Sequence, residues 1–130
     1  GEPHGGVIAA SLPNERDSSM GTGSFSQCIN IGSHTRFELG AKVKVAPNST
    51  QRGGGRLRPT WFQGLNCTGR YSASRKHADV DKDATEWQLL TVPELVPKFD
   101  AKSVRISVIH SIEGRGEHTL WWDDFYFQAY

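Results

Sequence analysis

Apolar and polar positions alternate along this chain in short runs, and apolar residues nowhere keep helical spacing over several turns. The cleanest alternation covers 36–45, with Phe37, Leu39, Ala41, Val43 and Val45 on one face and Arg36, Glu38, Lys42 and Lys44 on the other. Phe25, Ile29 and Ile31 mark a strand over 25–31, and Val104, Ile106, Val108 and His110 share a face of a later one, where His110 reads as a core histidine. Between 57 and 63, Leu57 and Trp61 take one side, and Arg58, Thr60 and Phe62 the other. A strand from Trp87 to Val92 is expected to end at Pro93, which has no amide to give to a ladder. Gly32-Ser33, the segment 47–55 and Gly114 with Gly116 supply turns. The pattern predicts an all-β chain of about seven or eight short strands, folded as a β-sandwich or jelly roll of two antiparallel sheets.

The last strand, Thr119 to Phe127, carries aromatic residues on both faces and an acidic pair in its middle. Strict alternation sends Trp121, Asp123, Phe125 and Phe127 one way and Trp122, Asp124 and Tyr126 the other. That phase assigns Trp121, like Trp61, to the core and leaves Trp122 and Tyr126 facing water. Rings held on a rigid sheet surface suit stacking against the apolar faces of sugars. Phe62 with Arg58 adds a second ring and a bidentate donor, and Gln88 and Asp124 add groups that bond hydroxyls.

At 130 residues the chain is expected to form a single domain, with 1–24 as a loose Gly- and Ser-rich start holding one edge strand near Val7–Ala10. Fifteen basic residues against fourteen acidic ones give a net charge of +1, too even for a nucleic-acid footprint. The densest basic cluster, Arg52 to Arg58, sits in a Gly-rich turn and reads as a solvated hairpin. No apolar run approaches the roughly 18 residues of a membrane span, so no membrane partner is expected. The first residues lack the basic start and apolar stretch of a signal peptide, so a mature form or an excised fragment is expected.

Catalytic chemistry has little to work with. The carboxylates Glu38, Glu86, Glu113, Glu117, Asp123 and Asp124 are scattered, and no nucleophile elbow, metalloprotease helix or phosphate loop is present. Asp79, Asp81 and Asp83 imitate the start of a calcium loop but lack its glycine and closing glutamate, and so read as a solvated turn. Asn48-Ser49-Thr50 and Asn66-Cys67-Thr68 fit a glycosylation pattern, a weak signal. Cys28 and Cys67 allow one pairing; either they are joined, which implies an oxidising compartment, or they are two free thiols.

Several segments taken in order resemble a known family. These are Ser26-Gln27-Cys28-Ile29 with Thr35-Arg36-Phe37-Glu38-Leu39, Trp61-Phe62-Gln63-Gly64 with Cys67-Thr68-Gly69, Glu86-Trp87-Gln88, Ser103-Val104-Arg105-Ile106 and Asp123-Asp124-Phe125. Together, over about residues 6–128, they look like carbohydrate-binding modules of the family 4/9 type, galactose-binding-like jelly rolls, in a bacterial secreted subgroup with a cysteine pair. The resemblance implies a non-catalytic, secreted, cell-surface or periplasmic module that binds carbohydrate along a sheet face with Trp or Tyr, the role expected of Trp122 and Tyr126; Arg58, Phe62, Gln88 and Asp124 are expected to assist. It implies that Cys28 and Cys67 are joined and that Trp87 is structural. No cofactor is implied beyond a structural calcium at Asp123. The family's first strand, roughly Asn-x-Gly-Phe-Glu followed by a Trp, has no counterpart in these residues. An open sheet edge is therefore expected, covered by a homodimer or a neighbouring domain. The alternative function is a structural, adhesion or protein-interaction domain.

Overall fold

In a computed structural model, residues 8–11, 20–45, 53–80, 86–113 and 119–130 are described, with the backbone alone for 8–11, 20–25, 53 and 111–113. They form nine strands: β1 (Ile8–Ser11), β2 (Met20–Asn30), β3 (Phe37–Val45), β4 (Gly53–Phe62), β5 (Tyr71–Ala73), β6 (Ala78–Asp79), β7 (Gln88–Leu95), β8 (Ser103–Glu113) and β9 (Thr119–Ala129). Of the turn expected over 47–55, residues 47–52 lie outside the described residues, as do the turn expected at 114–116, the carboxylates Asp81, Asp83 and Glu117, and the side chains of Phe25 and Glu113; Gly53 to Gly55 are not a turn but the start of β4.

Two antiparallel sheets stack face to face, one in the order β1-β9-β3-β7 and the other β2-β8-β4-β5, with β6 beside β4. The all-β sandwich read from the alternation is therefore the fold, and the described residues contain no helix. The core lies between the sheets. On β3, Phe37, Leu39, Ala41 and Val43 are buried; Leu57 and Trp61 of β4 and Val104, Ile106, Val108 and His110 of β8 meet them from the other side. Gly55 of β4 allows a close approach: a Cβ there would collide with Leu120 of the facing sheet and touch Val80 and Trp122.

Strand β7 departs from expectation. It continues through Pro93 to Leu95, which is tolerated because β7 is an edge strand and Pro93 needs no partner on its free side. The register with β3 shifts there, and Glu94 takes a positive φ of 55°.

Cys28 of β2 and Cys67 form a disulfide across 39 residues, so the pairing implied by the resemblance is present. Cys67 lies in a tight loop after β4 in which Asn66 and Cys67 both have positive φ. Asn30 and Asn66 exchange two hydrogen bonds, while Ser103 accepts from the Cys67 amide at 2.8 Å and donates to the Gly64 carbonyl at 2.6 Å. The loop is thus fastened to the end of β2 and the start of β8. Asn66, one of the two glycosylation-pattern asparagines, is occupied by this contact.

Candidate functional site

One extra residue in β9 decides which rings face outward. Lys42 of β3 pairs with Asp123 and Gly40 with Tyr126, so the single residue Ala41 stands opposite both Asp124 and Phe125. This is a β-bulge, and Asp124 occupies it with φ near 51°, a region that aspartate tolerates better than most residues. The Asp124 amide donates to its neighbour's Asp123 Oδ1 at 2.8 Å. The phase therefore inverts inside the strand. Before the bulge Leu120 and Trp122 point into the core; after it Phe125 and Phe127 do. Trp122 stacks on Phe125 at 5.8 Å and Phe127 on Phe37 at 4.7 Å.

The expected stacking residue Trp122 is thus core, with 0% of its surface exposed. Trp121, expected inside, is half-buried on the outer face. Alternation misled because it assumed an unbroken period of two. The adjacent pair Asp123-Asp124, poorly suited to a strand interior, was the available signal for a bulge.

The outer face of β9, β3 and β7 carries rows of side chains fixed by the ladder. Lys44, paired in register with Trp121, extends its ammonium between two indoles, 5.0 Å from the Trp121 ring and 5.5 Å from the Trp87 ring. Trp87 is 41% exposed and therefore not the structural tryptophan the resemblance implied. Next along the face, Leu89 is 58% exposed opposite Lys42, and Lys42 forms an ion pair with Asp124 at 3.3 Å. In the following row Tyr126 lies opposite Gly40 and its hydroxyl donates to Glu38 Oε2 at 2.6 Å. Burial, and then this bond to a carboxylate, pushes the Tyr126 hydroxyl pKa up from 10.0 to about 12.

Lysine–indole contacts at exposed sites are worth only about 0.5–1 kcal/mol each, so a ligand can displace the ammonium from the rings at small cost. The face combines flat apolar surface with donors and acceptors at fixed spacing. Strand backbone, not loop, holds each group except Trp87, which immediately precedes β7.

The remaining predicted residues lie elsewhere. Phe62 does face outward on the other sheet, yet it is 5% exposed because Tyr71 covers it at 5.8 Å and the Arg105 guanidinium at 4.8 Å. Arg58, half-buried in the same sheet, has a buried Nε without a hydrogen-bond partner. Gln88 is half-buried opposite Val43, in phase with buried Leu90 and Val92. Among the predicted binding residues, the structure brings Tyr126 and Asp124 together and separates Arg58, Phe62 and Gln88 from them.

Asp123 is buried, and no three His, Cys, Asp or Glu side chains cluster among the described residues. With Asp124 held by Lys42, the donors around Asp123 do not fit a calcium ion. Asp79 is taken by Arg56 at 2.7 Å, and this bond holds the Asp79 carboxyl below its ordinary pKa. A mainly apolar cleft of about 380 Å³ opens between the sheets, lined by Gln27, Ile29, Ile106, Val108, Phe125 and Phe127 among others.

No protein-family model matches the sequence, and no curated protein is significantly similar to it. Solved structures are similar in fold. A carbohydrate-binding module of the β-sandwich superfamily, described for its promiscuous specificity, superposes with a TM-score of 0.61 at 8% identity over 95% of this chain. The chain spans 55% of that structure's length. A family 61 carbohydrate-binding module from a complex with β-1,4-galactotriose gives a TM-score of 0.53 at 13% identity, over 98% of this chain and 90% of that one. The enzymatically active part of tailspike protein 4 of bacteriophage CBA120 gives 0.51 at 13% identity, over 95% of this chain and 19% of that one. At these identities the likeness establishes the β-sandwich fold, one used by carbohydrate-binding modules. No helix among the described residues is long and apolar enough to cross a membrane.

Proposed function

We propose that this domain binds carbohydrate, without catalysing its cleavage, on the outer face of the β1-β9-β3-β7 sheet. The observation that carries the reading is the pair of indoles set on one outer sheet face around Lys44, Trp87 exposed and Trp121 half-buried. A sandwich has no folding reason to place two such rings together on its outer face. Tyr126, Asp124, Lys42 and Glu38 continue the face with groups that orient hydroxyls. The sugar-binding modules of similar fold support this reading.

The reading of no catalysis rests on four described carboxylates that other groups hold, while Glu86 and Asp100 lie outside the strands. Glu38 accepts from Tyr126, Asp124 is paired with Lys42, Glu94 with Arg36 and Asp79 with Arg56. A glycosidase needs two carboxyl groups free to face each other across a sugar. The disulfide supports a secreted or periplasmic setting, as an accessory module of a larger protein. A glycan array followed by calorimetry tests the proposal: wild type binds a glycan, and Trp121→Ala and Trp87→Ala lose it while their circular dichroism is unchanged. Silence across the array overturns it.

A second reading is favoured by the sheet edges. Among the described residues β2, eleven residues long, is paired only with β8, and the cleft opens beside it. A two-fold pairing of β2 with β2 of a second copy would cover both. Sedimentation velocity decides: a monomer at all concentrations rules it out.

A further inference from the structure

We propose that the ligand of this face is an acidic polysaccharide, one carrying uronic-acid residues, and that Lys44 selects it. The inference rests on the carbohydrate-binding reading above and adds the charge of the sugar.

Two lysines stand on the outer face, and the structure treats them differently. Lys42 is neutralised in place by Asp124 at 3.3 Å. Lys44, two residues on along the same strand face, has no carboxylate partner among the described residues; its ammonium rests instead over Trp121 and Trp87. The two rings that offer stacking surface are therefore the two rings that this cation covers.

A neutral sugar that stacks on these indoles must push the ammonium aside and gives it nothing of equal strength in return. A uronic acid resolves that conflict. Its ring keeps an apolar face for the indole, and its carboxylate projects from the ring edge, where the displaced ammonium can reach it. The displaced ammonium then gains a charge-assisted hydrogen bond, which a neutral sugar cannot supply and which offsets the lost indole contacts. The paired Asp124–Lys42 row beside it is neutral, and the Glu38 carboxylate stands a row further on, held by Tyr126. Side-chain length also matters, because the long lysine stem lets the ammonium swing off the rings without moving β3.

The test is calorimetric titration of wild type, Lys44→Gln and Trp121→Ala with an oligogalacturonide, the matching neutral galactan oligosaccharide and a sulfated galactan, at low and at raised salt. Wild type is expected to bind the oligogalacturonide roughly three- to fivefold tighter than the neutral sugar at low salt, as a single exposed ion pair allows. Salt should weaken only the acidic ligand. In Lys44→Gln the preference should vanish while the neutral sugar binds as before or better. Neutral binding that equals acidic binding in wild type, or a preference unchanged in Lys44→Gln, overturns the inference and leaves the carbohydrate reading standing. Equal binding of the sulfated galactan overturns the uronate assignment in favour of any anion. If no sugar binds and Trp121→Ala changes nothing, the carbohydrate reading itself fails, and this inference with it.

Discussion

The ring of Tyr126 lies flat across Gly40, its register partner on β3, and from there its hydroxyl reaches Glu38 on the same strand. A Cβ at position 40 would overlap the Tyr126 ring. Glycine is required by this close approach and not by backbone conformation. Gly40→Ala is expected to displace the ring, break the Tyr126–Glu38 hydrogen bond and cost about 1–3 kcal/mol, the usual range for an overpacked site. Urea denaturation measures it. Tyr126→Phe, which keeps the ring and loses the bond, should cost about 1 kcal/mol.

The two adjacent tryptophans of β9 should behave oppositely. Trp122→Ala removes a fully buried indole and is expected to cost about 3–5 kcal/mol. Trp121→Ala should stay within about 1 kcal/mol of wild type, since a half-buried surface ring loses little packing. Acrylamide quenching of Trp122→Phe and Trp121→Phe gives an independent reading: removal of Trp121 should take away a quenchable component, removal of Trp122 a protected one.

Asp124 holds a left-handed backbone conformation at the bulge. Asp124→Gly should leave stability unchanged or slightly raised, because glycine adopts this φ freely and the exposed Lys42 pair contributes little. Asp124→Val should lose about 1–3 kcal/mol, since a β-branched residue is strained there. Thermal melts of the two variants compare them directly.

Removing the disulfide should cost about 2–4 kcal/mol, the range for a closed loop of this order. The double variant Cys28→Ser with Cys67→Ser, followed by denaturant unfolding without reductant, isolates that effect.

Two described groups contribute pH-dependent stability. Tyr126 is raised to about 12 by burial and then by Glu38, so the folded state keeps its proton where the unfolded state has lost it. Its contribution is complete below the unfolded value of 10.0 and is lost as pH rises through about 12. Asp79 is lowered by its bond to Arg56, so that contribution is present at neutral pH and lost as pH falls below the ordinary carboxylate range. Because the Asp79 side chain is largely exposed, solvent screening keeps its effect small. Tyrosinate absorbance compared between wild type and Tyr126→Phe, and melts of Asp79→Asn at acid pH, test the two.

The sandwich was legible in the sequence wherever a strand kept its period. Every apolar residue placed inward on β3 from Phe37 to Val43 is buried, as are Leu57 and Trp61 of β4. The site was far less legible. Whether Phe62 faces water depends on Tyr71 and Arg105, which approach it from two other strands, and strand phase carries no such information. Trp87 and Lys44 lie 43 residues apart in the chain and meet only through the β3–β7 register. Sequence alone marks Pro93 as a stop, because its tolerance depends on β7 lying at an edge, a property of the assembled sheet.

The inserted residue at Asp124 also bears on how this chain is to be compared with others. A related strand without the bulge, aligned here residue for residue, would exchange the identities of the two tryptophans: a buried indole would be matched with an outward-facing one, and a surface position would be assigned to the core. The correct correspondence needs a gap of one position in the middle of a continuous strand, where alignment procedures penalise gaps most. Substitution patterns at 121 and 122 become readable only after that gap is placed.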